Sequence, residues 1–172
     1  MNRLFLLLCI TAFAFAQPAF ADEANAGMDA TQTVVKMSLE DGVSPEDAID
    51  SMKLRANLLN MMFVSHQPLS DQLKSMRSAG ADIDYDIRRL EIFQFCDPVI
   101  AGRMVLFNSM FAAYMPCRIA LVEEADGSAA LTMMNLEMLI QGTELPGELL
   151  NLAEDVNSKL LEIMEAGATG AF

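Results

Sequence analysis

The dipeptide Asp126-Gly127 constrains the fold more than any other feature of this 172-residue chain. Asp-Gly suits the two-residue turn of a β-hairpin, whose backbone twist needs the positive φ that glycine accepts. Apolar runs flank it, at residues 117–123 before and 129–136 after. The turn therefore predicts two adjacent antiparallel strands. In the first of them apolar side chains occupy odd and even positions alike, the pattern of a central strand covered on both faces.

Other elements are placed around that hairpin. Residues 33–37 read as a first strand, 61–64 as a short buried strand and 90–96 as a stronger one. Ser44-Pro45-Glu46-Asp47 is a helix start, with a hydroxyl N-cap, proline at the first position and acids in the first turn. Ile49, Met52, Ala56 and Leu59 then make one apolar face. Ser70 is expected to cap a brief helix carrying Leu73 and Met76, ended by Gly80. Asp82, Asp84 and Asp86 alternate with Ile83, Tyr85 and Ile87, a period of two. Asp97-Pro98 opens a third helix carrying Ile100, Met104 and Phe107. A long amphipathic helix through Leu149, Leu152, Val156, Leu160 and Ile163 closes the chain, with Gly167 as its stop. Alternating strands and helices predict an α/β (α+β) two-layer sandwich: a mixed sheet of about five strands, helices packed on it, and a long C-terminal helix.

The N-terminus reads as an export signal. Met1-Asn2-Arg3 is basic, an apolar run follows, and small residues stand at −3 and −1 of a cut after Ala21. The apolar run is shorter than the ~20 residues that span a bilayer. Residues 22–31 read as a flexible leader and 32–168 as one domain. The expected product is periplasmic or secreted. Cleavage removes Arg3 and no carboxylate, leaving 10 basic against 24 acidic residues, a charge of −14. Without a basic cluster to neutralise phosphates, neither nucleic acid nor an anionic membrane surface is an expected partner. The acidity itself suits solubility.

The segments Phe95-Cys96-Asp97-Pro98, Tyr114-Met115-Pro116-Cys117-Arg118 and Ala120-Leu121-Val122-Glu123, with the Asp126-Gly127 turn, resemble the "domain of unknown function 302" family. Phe63 to Ser70 also looks like that family's strand followed by a short helix. The resemblance spans roughly residues 32–166, with Met115 in place of the family's leucine and Glu123 after the apolar run. It implies a small bacterial α/β fold, often a homodimer, and leaves activity open.

Processing also removes Cys9, leaving Cys96 and Cys117. A helix start after Cys96 favours its thiolate and Asp97 opposes it; Arg118 favours a thiolate at Cys117, which follows Pro116. These five residues are the candidate thiol or ligand site. Two cysteines in an oxidising compartment suggest a disulfide or a pair kept reduced. If the helix after Cys96 is a full crossover, the two lie at opposite edges of the sheet. If residues 108–115 loop back, they meet, as a disulfide requires.

His66 is the one histidine and the remaining metal candidate; Ser65 beside it points to the other strand face. A lone His at a strand end is more often a surface or packing residue. Met61, Met104, Met110 and Met115 are among 14 methionines. Thioethers with thiolate and imidazole suit a soft metal such as Cu(I), but most fall on core faces, where Met fills gaps. Asp82, Asp84 and Asp86 begin like a calcium loop, yet Ile87 and Phe93 stand where it needs Gly and Glu. No phosphate loop, dinucleotide fingerprint, HExxH or serine elbow is present.

These observations rank three functions. The first is an exported, non-catalytic binding or accessory module with a groove near Cys96 and Cys117 and no predicted cofactor. The second is a thiol-dependent protein carrying sulfur, redox equivalents or a soft metal. The third is an assembly role through a dimer surface.

Overall fold

A computed structural model describes residues 30–84 and 86–171. The expected signal peptide and residues 22–29 of the expected leader lie outside the described residues.

In chain order the elements are α1 (Ala30–Thr33), β1 (Val34–Ser38), α2 (Pro45–Leu58), β2 (Met62–Pro68), α3 (Leu69–Ser78), β3 (Ile87–Cys96) and α4 (Pro98–Phe107). A 3-10 turn (Ser109–Tyr114) leads into β4 (Cys117–Glu124), β5 (Ala129–Met134), α5 (Leu136–Gln141) and α6 (Gly147–Thr169). The expected α/β sandwich with five strands and a long C-terminal helix is present. The sheet runs β1-β5-β4-β3-β2. Every pairing is antiparallel, so the expected mixed sheet is corrected. The reason is length. Ten residues of α4 rise ~15 Å, whereas ten residues of β3 span ~33 Å. So short a helix cannot carry the chain back past β3 to start a parallel neighbour.

The β4–β5 hairpin forms at Asp126-Gly127 as expected. Gly127 takes φ 91°, and the Asp126 carboxylate accepts the Ser128 amide at 2.8 Å. α2 begins with a capping box: the Ser44 hydroxyl accepts the Asp47 amide at 3.1 Å, and the Asp47 carboxylate accepts the Ser44 amide at 3.2 Å. Ala48, Met52 and Ala56 are fully buried one turn apart, and meet Leu160, Ile163 and Met164 of α6 in the main core. The sheet supplies Phe93, Phe95, Ile119, Leu121 and Leu131 to the same core.

Several details differ from expectation. β2 is a sheet edge, and its Met62, Phe63 and Val64 are exposed while Met61, just before it, is buried. Among the described residues of 82–87 only Ile87 enters a strand. Ser70 lies inside the first turn of α3 rather than capping it. α6 continues through Gly167 and ends at Gly170, with φ 65°. Gly167 is a close-packing position: a Cβ there would sit 2.6 Å from Met52 Cγ and 2.7 Å from Leu131 Cδ1. Among the described residues no helix is long and apolar enough to cross a membrane.

Candidate functional site

The two cysteines come to the same end of the sheet. Cys96 is the last residue of β3 and Cys117 the first of β4. Phe95 faces Cys117 in register, so Cys96 is one step off the facing position. Strand spacing puts their Cα atoms roughly 6 Å apart. The opposite-edge arrangement is therefore overturned, because α4 and the 3-10 turn leave and return at the same end. Both cysteines are free thiols.

Local sequence builds this corner. The Asp97 carboxylate accepts the amides of Val99 and Ile100 at 3.0 and 3.1 Å, and Pro98 fills the first helical position. α4 therefore starts one residue after Cys96. Asn108 ends α4, and its side-chain oxygen accepts the Met110 amide at 3.0 Å, starting the 3-10 turn. Pro116, joined to Met115 by a cis peptide, then delivers the chain into β4.

Between this sheet end and α4, α5 and α6 lies an apolar cavity of about 90 Å³. Cys96, Cys117 and Met61 line it from the sheet side. Ile100 and Met104 of α4, Phe111 of the 3-10 turn, Ile140 of α5 and Val156 of α6 enclose it. Cys117, Tyr114 and Leu136 also line an open depression of about 420 Å³, shared with Val34, Ile92 and Met134. They form the partition between cavity and solvent.

The chemistry of the lining is subdued. Asp97 is engaged as a cap, and the Thr143 hydroxyl donates to the Leu139 carbonyl. Burial, with a smaller push from the nearby Cys96, raises the Cys117 thiol to about 11, against a partial pull downward from Arg118. Burial and then Asp97 also raise Cys96. Desolvation thus outweighs the helix start and the Arg118 cation that pointed towards thiolates. Neither sulfur is a ready nucleophile at neutral pH.

Of the candidate residues, Cys96, Cys117 and Asp97 line the cavity; Pro116 borders it in sequence, and Arg118 is exposed and lines only the open depression. His66 stands apart. It faces Phe93, three residues or about 10 Å back along β3, stacks on that ring at 4.6 Å and meets Glu91 at 2.6 Å. Glu91 is also held by Arg89, which reaches Glu46 at 2.7 Å. His66 is thus an exposed residue that packs on Phe93 and joins the Glu91 network. Among the described residues no three His, Cys, Asp or Glu side chains are grouped to hold a metal. Sequence reading missed α5 and the 3-10 turn. Asn108, a good cap before an apolar stretch, was the available signal for the turn.

The sequence matches the family described as "Domain of unknown function DUF302" over residues 35–167. The fold matches the crystal structure of an uncharacterized conserved protein DUF302 from Bacillus stearothermophilus, with a TM-score of 0.64 and 16% identity. That match covers 78% of this chain and 97% of the other, and at this identity it speaks to fold alone. No curated protein matches the sequence.

Proposed function

We propose that this chain, which belongs to the DUF302 family, is an exported, non-catalytic binding protein that takes a ligand of a few atoms at the Cys96–Cys117 end of its sheet. The observation that carries this reading is the cavity, with its apolar walls and occupied acid. Its Asp97 carboxylate is used in capping α4 and its thiols are held protonated. No group is left poised as general acid, base or nucleophile. Size narrows the ligand. Drug-sized ligands take pockets of ~300–1,000 Å³, and benzene fits one of ~150 Å³. A cavity of about 90 Å³ suits something smaller.

The test is the native intact mass of the protein taken from its export compartment before reductant is added, with xenon entry followed by methyl NMR. A chain beginning after Ala21, a small retained adduct, and xenon shifts at Ile100 and Met104 that vanish in Ala153→Leu are expected. A full-length chain would sink the export reading. A bare mass together with no xenon entry would sink the binding reading. A mass lower by two hydrogens would mean a closed disulfide, and a structural role for both cysteines.

One observation favours a second reading, assembly through a dimer surface. Val34 and Met134 are 40% and 41% exposed at the open depression. Sedimentation at micromolar concentration tests it: a monomer that stays monomeric removes this reading.

A further inference from the structure

α4 is apolar almost all round. Of its ten residues Arg103 alone is charged, and no charge follows from Met104 to Cys117. A helix of this kind belongs in a core or under a partner. Ile100 and Met104 satisfy that demand on the inner side, where they pack with Leu149 and Leu152 of α6. The outer side is bare. Val99 and Leu106, seven residues apart, share one helix face with Arg103, and they are 67% and 89% exposed. Met110 of the 3-10 turn is 75% exposed, and Phe107 and Tyr114 are exposed as well. Ring contacts join them into one strip: Phe107 meets Phe111 at 6.5 Å and Phe111 meets Tyr114 at 6.4 Å. At about 150–200 Å² for a large side chain, these five exposed residues leave on the order of 500 Å² uncovered. That is near the top of the ~300–600 Å² found for the largest apolar patch on a monomer.

We propose that this strip docks a cationic amphipathic helix, whose apolar face meets Val99, Leu106 and Met110 and whose flanks carry lysine or arginine. The site is separate from the cavity and does not depend on what the cavity holds. Charge selects the partner. From Leu136 to Glu154 the chain carries four carboxylates, Glu137, Glu144, Glu148 and Glu154, all exposed, and no cation. α5 and α6 close the cavity together with α4, so this acidic stretch borders the strip. The contact is direct at Glu148, which accepts from Arg103 at 2.7 Å. Arg103 offsets one of the four acids, and the rest attract a basic partner. A second copy of the chain would bring another net charge of −13, and an anionic bilayer is repelled for the same reason.

Size points the same way. A standard interface takes ~800 Å² from each folded partner, more than the strip presents. A partner helix of three turns is ~16 Å long, and the ten residues of α4 rise ~15 Å. Such helices bind through apolar anchors at i, i+3 or i+4, and i+7. Methionine, as at Met110, adapts its shape to anchors of different size.

The experiment is fluorescence anisotropy of a labelled synthetic peptide of about 14 leucines and lysines, with leucine at helical spacing, titrated with the protein. A second peptide has the same composition in scrambled order. Expected are one peptide per chain and binding at least about 10-fold tighter than the scrambled peptide. The double variant Leu106→Ser, Met110→Ser should weaken it at least about 30-fold, as loss of central anchors does. Both side chains are exposed, and an unchanged melting curve will show that the fold is intact. Val99→Lys is a second reading of the same face: it sets a like charge under the peptide and should weaken binding about 10-fold. Glu148→Gln should cost about 3-fold in 10 mM salt and less in 500 mM. No peptide binding, equal binding of the scrambled peptide, or an affinity unchanged by the serine pair would overturn the proposal. So would self-association of the peptide-free protein, or adsorption to phosphatidylcholine vesicles, that the serine pair abolishes, since the strip would then belong to a second copy or to a lipid surface.

Discussion

Cys117 shows how one partly buried residue sets a pH limit. Its folded pKa of about 11 lies above the ordinary 9.0, chiefly because burial penalises the thiolate. The unfolded chain therefore releases this proton first. The stabilisation is fully present below pH 9 and is lost as pH rises towards 11, on the order of 2–3 kcal/mol in all. Urea unfolding in reductant at pH 8 and 10.5 should show wild type losing about 2 kcal/mol more than Cys117→Ala between those two pH values. Equal losses would mean that the thiol ionises like an exposed one. A second residue-scale prediction concerns Glu91, 7% exposed and held by Arg89 and His66. Arg89→Met leaves that buried carboxylate one partner short and should cost about 3 kcal/mol, read as a lower midpoint in the same unfolding series. A change below 0.5 kcal/mol would show the network to be dispensable. The sequence singled out both cysteines and Asp97 because their types and neighbours carry chemistry. It did not show the direction in which the two thiols shift, since burial depends on α5 and α6, which are remote in the chain. Nor did it reveal His66 beside Glu91, a pairing set by the β2–β3 register.

Elements were legible where local signals act alone. The Ser44–Asp47 capping box and the Asp126-Gly127 turn both formed where the residues indicated. Gly167 was misread because glycine ends many helices, and only the packing of α6 on α2 and β5 reveals its other use. Gly167→Ala would gain ~1 kcal/mol of helix propensity. The added methyl meets Met52, Leu131 and the Ala48 carbonyl at 3.2 Å, and overpacking costs ~1–3 kcal/mol. A net loss of about 1–2 kcal/mol is expected. Gly102 in α4 is the control: nothing lies within 4 Å of its added Cβ, so Gly102→Ala should stabilise by about 0.5–1 kcal/mol. Thermal melts of the two variants should move in opposite directions. A shift of the same sign would mean that propensity alone governs both sites.

At the scale of the molecule, two electrostatic effects oppose each other as pH falls. The chain carries a net charge of −13 at neutral pH and a pI near 4.3, so self-repulsion weakens towards acid. Three carboxylates act the other way. The Arg89 hydrogen bond holds Glu46 below its usual range, Ser44 does so for Asp47, and Ser128 for Asp126. Groups with depressed folded values stabilise above their unfolded pKa, and that contribution is lost as pH falls through the folded one. Relief of repulsion therefore acts first on descending from pH 7, and loss of these three carboxylate interactions follows below about pH 4. The melting temperature should peak near pH 5–6, between these two regimes. Salt discriminates the causes. At pH 7, going from 10 to 500 mM sodium chloride should raise the melting temperature, because screening acts on repulsion among exposed carboxylates. Near pH 4.5, with little net charge left, the same addition should change it little. A melting temperature that falls with salt at pH 7 would show that the surface pairs, such as Arg103–Glu148 at 2.7 Å and Lys159–Asp155 at 2.7 Å, outweigh the net charge. Such pairs are individually worth ~0–1 kcal/mol, and the excess of 24 acids over 11 bases decides the sign against them.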